Sequence, residues 1–228
     1  MIPLRDDNPT RTRPVVTIAI IALCVLVFLW QFSMSPRGAQ AAIYSLGLIP
    51  AVLFGRAELP SELALIPAPL TVFTSMFLHG GILHLGGNML YLWIFGDNIE
   101  DRMGPVRFVA FYLICGVAAA LAQALPAVGS EVPMIGASGA VSGVLGAYLL
   151  LYPHARVLVA LPLIIVFYTF YLPAIVVLGL WFLGQLLSSL GQDAAAAGIA
   201  FRAHIGGFAA GILLVRFFIR ARPERRRW

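Results

Sequence analysis

Hydrophobic positions in this chain fall in long unbroken blocks rather than in the stripes of a soluble helix or the alternation of a half-buried strand. The first block, Val15–Phe32, holds 18 residues without a charge. A helix rising about 1.5 Å per residue needs about 20 apolar residues to cross a hydrocarbon layer about 30 Å thick, so this block predicts a first membrane helix. The following connection, residues 33–70, mixes Pro36, Pro60, Pro67 and Pro69 with short apolar pieces such as 51–54. That mixture predicts a structured loop at the membrane surface. A second helix is expected from near Gly81 to before Asp97, a third over 106–125, and a fourth from Ser138 to Pro153. The run 157–192 has 36 residues, no charge, and interruptions at Pro162 and Pro173. It is too long for one crossing. A fifth helix is expected over 172–190, with 158–170 lying at the interface or entering obliquely, and a sixth over 198–218. The pattern predicts an all-α membrane protein, a six-transmembrane helical bundle over residues 15–220 with a polar N-terminal tail (1–14) and a basic C-terminal tail (221–228).

Composition narrows the class. Hydrophobic residues make up 61% of the chain and charged residues 11%, against about a quarter charged in an average soluble domain. The absence of strand alternation argues against a membrane barrel. A secretory signal is disfavoured because the first block exceeds the roughly 7–15 residues of a signal core. Cys24 and Cys115 lie inside apolar runs and imply no disulfide framework. All 15 basic residues are arginine, and six of them crowd the last 13 positions. A basic tail after an apolar helix marks the cytoplasmic, anionic-lipid side of a bilayer rather than a nucleic-acid partner. With the N-terminus inside, twelve arginines fall inside and three (Arg37, Arg56, Arg202) outside. That bias predicts six spans with both termini cytoplasmic. No internal repeat of the transporter kind is visible.

In this topology four polar side chains from three helices reach one depth near the outer surface. They are Ser138 at the start of the fourth helix, His204 about two turns into the sixth, and His84 and Asn88 near the start of the second. A serine hydroxyl becomes a nucleophile when a base takes its proton, and imidazole can do so near neutral pH. The tetrahedral intermediate then needs donors aimed at its oxyanion. His84 and Asn88 are four apart and share a helix face, and the first N–H groups of the fourth helix lack intrahelical partners. Asp97, Glu100 and Asp101 belong to the opposite face. Each signal has a plainer reading. Gly136, Gly139, Gly143 and Gly146, like Gly207 and Gly211, form small-residue faces for close helix packing. Asn88 could tie helices together, His79 suits a loop or interface, and Trp30, Trp93 and Trp181 suit core or interfacial aromatics. Shared depth favours chemistry.

On these residues the chain resembles the rhomboid intramembrane serine proteases, of the bacterial six-span type. The family's H-x-x-x-N matches His84–Asn88, its G-x-S-G matches Gly136 to Gly139, and its A-H-x-x-G-x-x-x-G matches Ala203 through Gly211. The resemblance implies Ser138 as nucleophile, His204 as general base, and His84, Asn88 and the Ser138 N–H as oxyanion hole. No metal or cofactor is expected, and neither is a nucleic-acid partner. The expected partners are the lipid bilayer and single-span membrane protein substrates, cut near the outer boundary after access between the second and fifth helices, where Trp181 and Phe182 could form a gate. A bacterial plasma membrane is the expected location. Three positions depart from the family. Ser142 replaces a tyrosine that in some members stacks on the base, Arg202 stands two before His204, and the first outer loop lacks a Trp-Arg pair. An inactive relative that binds membrane helices would lack the serine or histidine, and a channel or transporter would show paired intramembrane acids or broken repeats. This chain has neither signature.

Overall fold

The computed structural model describes residues 1–163, 166–191 and 200–220, so the expected basic tail 221–228 and the first two residues of the expected sixth helix lie outside the described residues. Helix α1 (Val15–Phe32) coincides with the first apolar block. The surface connection folds into short helices α2 (Pro36–Leu46), α3 (Pro50–Leu53) and α4 (Thr71–Thr74). Ser35 caps α2, its side chain accepting from the Gly38 N–H at 3.2 Å. Then come α5 (Ile82–Met103), α6 (Pro105–Ala124), α7 (Ser138–Leu151), α8 (Ala174–Leu190) and α9 (Phe201–Phe218).

Among the described residues three helical segments are long and apolar enough to cross a membrane: Val15–Phe32, Pro105–Ala127 and Phe201–Phe218. A fourth arises if Ala68–Phe77 and Ile82–Met103, bent 82° to each other, count as one broken span. The six expected crossings are thus three or four by length and composition among the described residues. The shortfall lies in α7 and α8, of 14 and 17 residues, about 21 and 26 Å long at helical rise. Helix α7 is the innermost. Every residue from Ala140 to Tyr148 is buried, enclosed by α5, α6 and α9. A helix walled by protein can be glycine-rich and shorter than the hydrocarbon layer, because its ends need not reach lipid headgroups.

The expectation of an all-α chain is corrected by an antiparallel sheet in the order β1–β2–β3, built from Ile2–Asp6, Arg156–Leu163 and Val166–Pro173. The segment expected as a polar tail therefore contains a strand. The segment expected to lie obliquely at the interface is a pair of strands in continuous register, from Arg156 opposite Pro173 to Leu163 opposite Val166. β1 pairs Ile2 with Ala160 and Asp6 with Val157, with an irregularity between Pro3 and Arg5. The strands are rich in β-branched and aromatic residues, which suit a pleated surface. Asp7 closes the sheet end, accepting from the Arg156 N–H at 2.8 Å and donating its own N–H to the Arg156 carbonyl at 2.9 Å. The Tyr148 hydroxyl donates to Asp6. Burial pushes the Asp6 carboxyl above the ordinary carboxylate range, and the Tyr148 bond only partly offsets this.

The second long helix also runs past its expected end before Asp97, continuing to Met103. The polar residues that argued for an earlier stop have partners. Glu100, only 1% exposed, accepts from the Val16 N–H (2.9 Å), the Thr17 N–H (2.8 Å) and the Thr17 hydroxyl (2.8 Å). Those N–H groups are orphan donors of the first turn of α1, where a negative charge also meets the helix dipole favourably. Asp101 holds Thr12 through its N–H (2.9 Å) and hydroxyl (2.7 Å). Gly104, at φ +77°, ends α5, and Pro105 opens α6.

Candidate active site

Ser138 is the first residue of α7, placed there by a loop whose backbone only glycine adopts readily. Gly136 has φ +122°, and its N–H donates to the Ser75 carbonyl at 2.8 Å, tying the loop to the bend before α5. His204 stands one turn into α9 and is 9% exposed. Its Nε2 lies 2.8 Å from Ser138 Oγ. Two side chains separated by 66 positions in sequence thus meet at hydrogen-bond distance.

The approach depends on glycine at the α7–α9 crossing. A Cβ on Gly207 would collide with the Gly139 carbonyl oxygen, one on Gly211 with the Gly143 carbonyl oxygen, and one on Gly146 with the Phe208 carbonyl oxygen. These obstacles are backbone and cannot turn aside. The small-residue faces therefore serve close packing, as their plainer reading holds, and that packing brings Ser138 and His204 together. Gly211→Ala is expected to destabilise the fold by about 1–3 kcal/mol through overpacking and to widen the gap between the two side chains. Thermal unfolding in detergent and the reactivity of Ser138 should fall together.

His84 and Asn88, on the first two turns of α5, converge from the other side. A Cβ built on Gly136 would lie 2.7 Å from His84 Nε2 and 3.8 Å from Asn88 Nδ2. Both nitrogens thus face the loop two residues before Ser138. Asn88 is 7% exposed, and its Nδ2 has no hydrogen-bond partner among the described residues. A buried amide donor left unsatisfied costs about 1–3 kcal/mol, and such exceptions call for a reason, a catalytic role being one. His79, expected in a loop or at an interface, is in the bend but buried, its ring edge-on to His84 at 5.2 Å. Beside Ser138 a cavity of about 40 Å³ is lined by small residues such as Gly116, Ala119, Gly139 and Ala140 together with the larger Leu48, Met76 and Met134.

The ring of His204 is held from α8. Trp181 lies 5.9 Å away between ring centroids and Gln185 Oε1 lies 2.6 Å from Nδ1. Trp181 also reaches Tyr91 of α5 at 6.4 Å, and Phe182 stacks on Phe208 at 4.5 Å. Ser142, where an aromatic could have stood, turns back to the Ser138 carbonyl at 2.6 Å. Arg202 is two residues before His204, about 200° around the helix, so the two project in different directions. Gln185 was not among the expected site residues. Its signal was faint but present, the one amide within the helix expected over 172–190, four residues after Trp181 and hence on the same helix face. Asp97, Glu100 and Asp101 belong to the other end of α5, where Glu100 holds the first turn of α1 and Asp101 the segment before it. No group of three metal-binding side chains occurs among the described residues.

A family model described as the Rhomboid domain matches residues 68–221. The chain is similar to the mitochondrial Rhomboid protein 1 of Saccharomyces cerevisiae, 28% identical over 204 residues that cover 81% of this chain and 55% of that protein. It is similar to Rhomboid protease GluP of Bacillus subtilis, 35% identical over 137 residues, covering 60% of this chain and 24% of that one. RHOMBOID-like protein 5 of Arabidopsis thaliana is 40% identical over 78 residues, covering 34% and 25%. The chain spans about half the length of the yeast relative and about a quarter of the other two.

Proposed function

Because the chain belongs to the rhomboid family, an integral membrane family, we propose that it is an intramembrane serine endopeptidase working through a Ser138–His204 dyad. The observation that carries the reading is the 2.8 Å approach of His204 Nε2 to Ser138 Oγ at the start of a short, buried helix. In this reading Ser138 donates its hydroxyl proton to His204 and attacks a peptide carbonyl carbon. The oxyanion forms among His84, Asn88 and the Ser138 N–H, an unpaired donor at the helix start. His204 then passes the proton to the leaving amine, and water cleaves the acyl-enzyme. The similarity to a relative whose name includes protease supports the same class.

Topology gives the substrate class. In this reading the chain crosses a bacterial plasma membrane six times with both termini in the cytoplasm, an orientation that the twelve-to-three arginine bias supports, and Ser138 lies below the outer surface. The helix it opens is about 21 Å long against a hydrocarbon layer of about 30 Å, so the serine is recessed and water can reach it from outside. A peptide in regular helix hides its carbonyl carbons, and unwinding it exposes polar groups that lipid cannot satisfy. Cleavage is therefore assigned to single-span proteins near their outer boundary, at a site with a helix-weakening Gly, Pro or Asn. The cavity of about 40 Å³ beside Ser138 suits a small side chain at the cut. Access is between α5 and α8, with Trp181 and Phe182 as the gate. Replacing the helix-weakening residues of a cleaved substrate with leucine should slow cutting sharply and leave its insertion intact. Equal rates for the leucine substrate, or a cut at the cytoplasmic end, would refute the mechanism.

A further inference from the structure

The imidazole has two ring nitrogens, and which one carries the proton decides whether His204 can act on Ser138 at all. The geometry around Gln185 settles it. Gln185 Nε2 lies 3.4 Å from the Trp181 carbonyl oxygen on its own helix, and Gln185 Oε1 lies 2.6 Å from His204 Nδ1. A carbonyl oxygen only accepts. Turning the amide over would set Oε1 against the Trp181 oxygen, two acceptors face to face. The NH₂ group therefore points at Trp181 and the amide oxygen at His204. An oxygen facing Nδ1 requires a proton on Nδ1, which leaves the Nε2 lone pair directed at Ser138 Oγ, 2.8 Å away.

We propose that Gln185 is the positioning residue of the base: its amide oxygen accepts the Nδ1 proton of His204, fixing the ring and the tautomer that can take a proton from Ser138. The inference rests on the reading of His204 as general base and deepens it. It also accounts for the position where some relatives carry an aromatic and this chain has Ser142. The ring is held instead by Trp181 and Gln185, one turn apart on α8 and on a shared face. A neutral amide suits the location. It orients the imidazole as a carboxylate would, without the cost of a charge inside the membrane. The rest of this half of α8 offers no substitute: Leu183, Leu186, Leu187 and Ser188 are exposed, and the Ser189 hydroxyl donates to the Leu186 carbonyl at 2.7 Å.

The test compares Gln185→Met, which keeps the length and removes the strong acceptor, with Gln185→Glu, which keeps an oxygen in place. The orienting partner of a metal-binding histidine is worth about 10–100-fold, and a loss of that order is expected in kcat for Gln185→Met, with KM changed by less than about twofold. Gln185→Glu should recover most of the loss. Nitrogen-15 spectra of histidine-labelled protein, with His204 assigned by its disappearance in His204→Ala, should show the Nδ1–H form in the native protein and a mixture in Gln185→Met. Native kcat in Gln185→Met overturns the proposal, as does an equal loss in both variants with the native tautomer intact. His204→Ala separates this from the underlying reading. If that variant reacts with a fluorophosphonate at the native rate, the base assignment has failed. If it is silent while Gln185→Met reacts normally, only the role of Gln185 has failed.

Discussion

Replacing His204 with alanine is expected to lower the turnover of a cleaved membrane substrate by about 10⁶-fold, the scale on which losing the base or nucleophile of a serine protease is felt. Ser138→Ala should cost as much. The double variant should be no worse than either single one, because a nucleophile and its base act as a unit. At 9% exposure, His204 places its Nε2 2.8 Å from Ser138 Oγ, within reach of the serine proton. The hydrogen-bond partners of its ring among the described residues are Ser138 and Gln185, so no carboxylate there can complete a triad. Glu131 sits in an exposed loop, and Asp193 lies outside the described residues. Single-turnover cleavage in liposomes measures the loss, with thermal unfolding as control for folding. Losses that multiply in the double variant would mean that the two side chains do not act together.

Asn88→Ala is expected to lower kcat by about 10²–10³-fold with a much smaller change in substrate affinity. A buried Nδ2 without a partner among the described residues destabilises the fold, so removing it should leave stability unchanged or slightly higher. Its contribution appears only when a negative oxygen forms near Gly136 and Ser138. A merely structural asparagine would give the reverse pattern, a less stable protein with near-native turnover. Kinetics and thermal unfolding on the same preparation distinguish the two, and an effect confined to affinity would assign Asn88 to substrate contact.

Much of this arrangement was legible in the chain because the membrane simplifies the code. An uncharged block bounded by Pro14 and Ser33 has one stable form in lipid, and α1 took its expected bounds. Helix direction and a rise of about 1.5 Å per residue are enough to bring Ser138, His204, His84 and Asn88 toward one level. The strands escaped notice for a physical reason. Val157, Val159 and Ala160 are buried while Leu161, Leu163, Phe167 and Tyr168 are exposed, so inward and outward residues are both apolar and no alternation marks the pleat. Their third partner is contributed by residues 2–6, some 150 positions away, a pairing that no local pattern encodes. The end of α5 misled in another way. Asp97 to Arg102 looked like a helix stop, yet Glu100 and Asp101 continue the helix because the first turn of α1 and the segment before it supply their donors. Gln185 was hidden among leucines, since its importance comes from what stands across from it on α9.

In the proposed mechanism one serine, activated by one histidine inside the membrane, carries out the chemistry. Exposing the native protein in liposomes to a fluorophosphonate and mapping the adduct by mass spectrometry tests it directly. A single modification is expected, on Ser138, that abolishes substrate cleavage in proportion to its extent and does not form in Ser138→Ala. Modification at another residue with loss of cleavage, or undiminished cleavage by Ser138→Ala, would contradict it.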